Sequence, residues 1–127
     1  MTIFSDIPAI TRVNGYDQIN CPAGAKLNIE LSVITVAGTP QTMTGWTLAF
    51  VIRDIAEERL MLSKTTAAGI TITDGSGTDD LAIAAIDAAD TEGFEGVYSG
   101  AFWRTDGTYD APLWAGKIVF TKVARQP

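Results

Sequence analysis

Apolar and polar residues alternate at every second position in much of this chain, and this pattern constrains the fold more than any other feature. In residues 26–36 every second position is apolar, at Leu27, Ile29, Leu31 and Val33. The positions between them are mostly polar. A repeat of two residues is typical of a half-buried β-strand. Residues 46–53 repeat the pattern, and no stretch keeps a helical repeat for more than two turns. The chain is therefore predicted to be all-β.

Residues 91–123 have the pattern of a β-hairpin. Residues 97–104 and 117–123 are rich in branched and aromatic side chains, and Thr105-Asp106-Gly107 between them favours a turn. The segment before Tyr98 also resembles the tyrosine corner of immunoglobulin-like sandwiches, in which a tyrosine hydroxyl bonds to the preceding loop. Immunoglobulin domains have a cysteine two residues after this tyrosine, and this chain has Gly100. The resemblance is therefore to the sandwich and not to antibody domains.

Glycine, proline and aspartate separate about seven such segments along the chain, as in many sandwiches. The sequence predicts an immunoglobulin-like antiparallel β-sandwich of about seven strands over residues 25–127. Residues 1–24 differ, because isolated apolar residues alternate there with prolines and glycines and no repeat persists. We expect them to form an extended N-terminal arm. Its apolar residues Phe4, Ile7 and Ile10 could lie on the chain's own sandwich or on a neighbouring subunit.

Charge argues against nucleic acid as a partner. The net charge is −6 and the pI is about 4.4, whereas binding of phosphates needs clustered lysine and arginine. Between Asp74 and Asp110 the only base is Arg104, so this half should repel nucleic acid and anionic membranes. No apolar run approaches the roughly 20 residues of a membrane span. The N-terminus has no pattern of a signal peptide, so synthesis and folding in a cytoplasm are expected.

Residue types that usually carry catalysis are missing. The chain has no histidine and one cysteine, which removes the usual base of nucleophilic triads and the usual zinc ligands. Cys21 has no basic neighbour and is predicted to be a packing residue. Residues 74–80 offer three carboxylates that could hold calcium, but a tight turn needs the same residue types. No catalytic residue, cofactor or metal site is therefore predicted.

Aromatic residues suggest a binding surface: Tyr16, Trp103, Tyr109 and Trp114. If Trp103 and Trp114 are exposed together, they mark a contact patch, which is more often for protein than for a small ligand. Stacking on sugars, as in a carbohydrate-binding or host-adhesion module, is the alternative. Core packing remains the simpler interpretation for each ring taken alone.

The order of the turn and strand motifs resembles the small immunoglobulin-like domains of tailed-bacteriophage particles. These motifs are Gly38-Thr39-Pro40, residues 43–53, residues 60–64, residues 69–72, Asp90-Thr91, Gly96-Val97-Tyr98 and residues 113–119. The chain is similar in particular to the N-terminal domain of baseplate upper proteins and to head-fibre and tail modules. The resemblance implies a non-enzymatic virion protein, present in many symmetric copies or as a homo-oligomer, with other capsid or tail proteins as partners. Such relatives usually carry further domains, and this chain ends at Pro127, so a decoration, cement or adaptor role is expected.

Overall fold

The computed structural model describes residues 9–35, 37–56, 58–108 and 110–122, with only the backbone described for Ala9 and Ile10. It contains nine strands: β1 (Ala9–Arg12), β2 (Gln18–Ala23), β3 (Leu27–Ser32), β4 (Leu48–Asp54), β5 (Leu60–Thr65), β6 (Ile70–Thr73), β7 (Leu81–Ile86), β8 (Gly96–Arg104) and β9 (Ala111–Lys122). A short 3-10 turn, Ala88–Asp90, connects β7 to β8. In this described part, no helix is long and apolar enough to cross a membrane.

The strands form two sheets. One has the order β1-β3-β7-β6, and the other has the order β2-β9-β8-β4-β5. Neighbours are antiparallel except for the pairs β1 with β3 and β2 with β9, which are parallel. The predicted all-β sandwich is confirmed, but it has nine described strands rather than about seven, and its two sheets are mixed rather than purely antiparallel. The order β9-β8-β4-β5 corresponds to the G-F-C-C′ order of variable-type immunoglobulin sheets.

The two additional strands come from the segment predicted as an extended arm. β1 runs beside β3, and β2 runs beside β9 for six residue pairs, from Gln18 opposite Lys117 to Ala23 opposite Lys122. Ile19 and Cys21 of β2 are buried in the core. The described part of the arm therefore lies on its own sandwich, with one strand on each sheet. Phe4 and Ile7 lie outside the described residues, as does the side chain of Ile10.

The core lies between the sheets and contains the residues that the alternation selects. Phe50, Phe102 and Phe120 are fully buried, and the ring centroids of Phe50 and Phe102 are 4.6 Å apart. Each fully buried side chain of this size contributes about 1.5–3 kcal/mol of stability. The tyrosine corner is also confirmed, since the Tyr98 hydroxyl accepts a hydrogen bond from the backbone N–H of Glu95 at 3.2 Å.

Candidate binding face on the five-stranded sheet

The two tryptophans predicted as contact residues lie on opposite sides of the five-stranded sheet. Trp114 is only 9% exposed, and its indole Nε1–H donates to the carbonyl oxygen of Tyr16 at 2.8 Å. Trp103 is half-buried and faces outward because it follows the buried Phe102 on β8, and a bulge in the pairing with β9 places it opposite Pro112. The two rings therefore do not form one exposed patch. Trp114 repeats in phase with the buried residues Ile118 and Phe120, which is the sequence signal that assigns it to the core.

We call the outward side of the five-stranded sheet the outer face. The strand register arranges its side chains in rows that cross the sheet. The middle row consists of small or short residues: Ala115, Ala101, Val51 and Ser63. On one side the next row contains Trp103 and Ala49, and on the other side it contains Lys117, Ser99 and Arg53. The short side chains of the middle row, flanked by Trp103 on one side and by Lys117 and Arg53 on the other, leave a depression in the outer face.

This depression, which we call the trough, has a volume of about 450 Å³. Its lining includes Ala101 and Ala115 on the floor, Trp103 at one end and Arg53 at the other. Trp103 lies four positions after Ser99 along β8, which corresponds to about 13 Å of strand. The trough is thus long enough for a short extended segment and wide enough for one large side chain.

The charge of the five-stranded sheet is opposite to that of the whole chain. Its strands contain five basic residues: Arg53, Lys64, Arg104, Lys117 and Lys122. They contain a single acid, Asp54, at the end of β4 and in phase with the buried Ile52. Lys64 and Arg104 form ion pairs with Asp90 and Asp106. The outer face therefore presents Arg53 and Lys117 without a carboxylate at any outward position of the described sheet.

Arg53 is held in place at the border of the trough. Its Nη1–H donates to the carbonyl oxygen of Glu58 at 3.0 Å. A guanidinium has five N–H donors, so this bond leaves donors that can meet a ligand. Lys117 is exposed, and its backbone N–H donates to the carbonyl oxygen of Asp17 at 2.8 Å. The guanidinium of Arg53 is thus fixed by a backbone carbonyl, and the backbone of Lys117 is fixed on the same side of the trough.

The acidic loop considered for calcium is organised by its own hydrogen bonds. The Asp80 carboxylate is buried and accepts the backbone N–H groups of Gly75 and Gly77 at 2.6 and 3.1 Å and the hydroxyl of Ser76 at 3.2 Å. The bond from Gly75 is the main reason that the pKa of Asp80 lies below its usual value. Among the described residues, no three cysteine, aspartate or glutamate side chains are grouped as metal ligands. The carboxylate of Asp80 therefore stabilises the turn by accepting these hydrogen bonds.

Cys21 is a core residue, as predicted. It is 2% exposed, and burial raises the pKa of its thiol to about 11. A thiol with this pKa is almost entirely protonated at neutral pH and is a poor nucleophile. The single cysteine therefore contributes packing.

In comparisons with known proteins, the chain matches no protein-family model and no curated protein sequence.

Proposed function

We propose that this chain is a non-enzymatic structural protein of a tailed-phage particle. Many copies dock on the capsid or on the tail and baseplate, as decoration, cement or adaptor subunits. The observation that carries the proposal is the outer face, where a hydrogen-bonded sheet holds an apolar trough beside Trp103. A preformed surface of this kind binds without a large cost of ordering. The phage context comes from the turn and strand motifs of the sequence.

A small contact is sufficient to hold this protein on a particle when the contact is repeated. A trough of about 450 Å³ accepts one or two side chains, which is a small part of a standard protein interface. When a particle presents the same contact at many symmetric positions, or links two contacts in one copy, the combined binding becomes much tighter than a single contact. A decoration or cement protein uses this principle.

Replacing each of two exposed alanines by glutamate, in separate variants, tests the docking face. Ala115 lies on the trough floor and Ala85 on the outward side of β7, and both are exposed strand residues. Ala115→Glu puts a carboxylate into the trough, whereas Ala85→Glu makes the same change on the other sheet. Phage particles assembled without the protein should bind the wild type and A85E, and should bind A115E at least about ten-fold more weakly. Equal binding of both variants, or no binding of the wild type, contradicts the proposal.

The predicted contact through Phe4 and Ile7 needs a shorter deletion than the complete arm. β1 begins at Ala9, so deletion of residues 1–8 preserves both additional strands. Deletion through Asn20 would also remove β1 and half of β2, including the buried core residue Ile19. We expect the 1–8 deletion to fold and to bind particles more weakly. Unchanged binding would limit the contact to the outer face.

A carbohydrate-binding or host-adhesion module is the second candidate, and the position of Trp103 beside an open trough favours it. Flat aromatic rings at shallow depressions are suited to stacking on sugars. Of the other aromatic residues that suggested this function, Trp114 is buried, Tyr16 is exposed but does not line the trough, and Tyr109 lies outside the described residues. Binding to a glycan array that is lost in Trp103→Ala and retained in A85E would favour this function over docking on a particle.

A further inference from the structure

We propose that the trough is a socket for an acidic segment of a partner protein that carries one large apolar side chain. The apolar side chain enters between Trp103 and the small floor residues, and carboxylates beside it meet Arg53 and Lys117. This inference rests on the proposed docking function and adds the chemistry of the partner.

The shape of the trough requires a large apolar group. Its floor is made by the alanines 101 and 115, and Val51 continues the floor across β4. A short side chain from a partner would leave this apolar surface open to water, whereas an aromatic or branched side chain fills it. The indole ring of Trp103 at the end of the trough offers a partner for offset or edge-to-face contact with an aromatic ring.

The charges around the trough require carboxylates. Arg53 and Lys117 lie in the same row of the sheet, on either side of Ser99. Lys117 forms no ion pair among the described residues, and Arg53 donates its hydrogen bond to the neutral carbonyl oxygen of Glu58. The rest of the chain is strongly acidic, so this row is an exception that electrostatic complementarity explains.

The same charges argue against a symmetric dimer through this face. In a two-fold contact, the same patch of both copies meets itself. With the two-fold axis near the row of cations, Arg53 and Lys117 would face the same two cations of the other copy. With the axis elsewhere on the outer face, neither sheet offers them a carboxylate at an outward position. A partner of opposite charge is therefore the better occupant.

The dimensions of the trough predict the spacing between the apolar residue and the carboxylates in the partner segment. The row of cations and Trp103 are about 13 Å apart along the strands, which equals about four residues of an extended segment. We expect one aromatic or branched apolar residue with aspartate or glutamate within about four positions of it.

The experiment is a selection from a library of random peptides of about twelve residues against the immobilised full-length chain. We expect enriched peptides to share the apolar residue and the nearby carboxylates. A synthetic peptide with this consensus should bind the wild type, and more weakly as salt concentration rises. Its Kd should increase about ten-fold or more in Ala115→Trp, which fills the trough, and in the double variant Arg53→Gln, Lys117→Gln. The matched variants Ala85→Trp and Lys122→Gln should bind like the wild type, and thermal unfolding should show that all variants are folded.

Several results would overturn the inference: no enrichment, a basic or uncharged consensus, or binding that is indifferent to the trough variants. Self-association of the wild type that A115W abolishes would show that the occupant is a second copy. Binding of saccharides in place of peptides would assign the trough to glycans. The two proposals fail separately, because particle docking can depend on A115E while the selected peptides lack carboxylates, and acidic peptides can bind a protein that particles do not carry.

Discussion

The ammonium nitrogen of Lys64 lies 2.9 Å from Oδ2 of Asp90, and this ion pair joins the edge strand β5 to the turn before β8. The two side chains are 17% and 26% exposed, so the pair is largely withdrawn from water. The stem of Lys64 also passes over Gly69, where an added Cβ would lie 2.6 Å from its Cδ. The ion pair therefore joins the five-stranded sheet to the connection by which the chain leaves the four-stranded sheet after β7.

Replacing Lys64 by methionine should lower the free energy of unfolding by about 1–2 kcal/mol. The apolar stem is preserved, but Asp90 keeps a partly buried charge without its partner. Urea unfolding of the wild type and K64M measures the difference. Lys122→Met is the control, since Lys122 is an exposed residue at the end of β9 and its replacement should change stability by less than about 0.5 kcal/mol. Equal effects of both substitutions would show that the ion pair is not stabilising.

The same pair predicts how stability depends on pH. The hydrogen bond from Lys64 is the main cause that lowers the pKa of Asp90, and the backbone N–H of Asp87 adds to it. A carboxylate with a lowered pKa stabilises the fold above its unfolded pKa of about 4, and this stabilisation is lost as the pH falls through the folded pKa. The stability difference between the wild type and Asp90→Asn should therefore shrink below about pH 4. A difference that stays constant from pH 7 to pH 3 would contradict this cause.

Gly100 and Gly116 face each other across β8 and β9, and neither position has room for a side chain. An added Cβ at residue 100 would lie 2.4 Å from Cδ1 of the buried Ile118, and one at residue 116 would lie 2.6 Å from the backbone oxygen of Asp17. Gly100→Ala and Gly116→Ala should each cost about 1–3 kcal/mol because the core is overpacked.

The two clashes differ in whether a second substitution can relieve them. Ile118→Val removes the Cδ1 atom that meets residue 100, so it should recover part of the loss in G100A. It should not help G116A, because the clash there is with the backbone of Asp17 and the ring of Trp114. A double-mutant cycle by urea unfolding should give coupling of at least about 0.5 kcal/mol for residues 100 and 118. Simple additivity in both backgrounds would contradict the steric explanation.

Seven strands could be predicted because each has a local pattern of apolar and polar residues. Leu48, Phe50 and Ile52 alternate with outward residues, and burial follows the same alternation in the structure. β1 and β2 could not be predicted, because prolines and glycines interrupt the pattern of residues 1–24 and β2 itself contains Pro22. Their pairing depends on β3 and on the distant β9 rather than on their own residues. Local pattern predicts an interior strand better than it predicts an edge strand.

Trp103 was the one predicted contact residue that the structure places on the trough. The trough itself depends on register, since Ala101, Ala115 and Val51 become neighbours only when three strands are aligned. The scarcity of acids on the outer face is also invisible until the outward positions are known. Sequence reasoning therefore recognised a large side chain but not the surface around it.

Replacing Tyr98 by phenylalanine tests the tyrosine corner. The ring centroid of Tyr98 lies 5.0 Å from that of Phe94 and 5.6 Å from that of Phe120, and phenylalanine should keep both contacts. Y98F loses only the hydroxyl that accepts the N–H of Glu95, so stability should fall by about 0.5–1.5 kcal/mol. Chemical denaturation measures the change. A variant as stable as the wild type would show that water replaces the hydroxyl at Glu95 without loss.

The thiol of Cys21 predicts a loss of stability at alkaline pH. Burial raises its pKa from 9.0 to about 11, so the folded state favours the protonated thiol over the thiolate. The stabilisation is complete below the unfolded pKa and is lost as the pH rises through the folded pKa, between about pH 9 and 11. The wild type should therefore lose more stability than Cys21→Ala over this range, although C21A starts lower because of the cavity it leaves. Parallel curves for the two proteins, or rapid alkylation of native Cys21 at pH 8, would show that the thiol is less buried than its position between Ile19 and Ala23 requires.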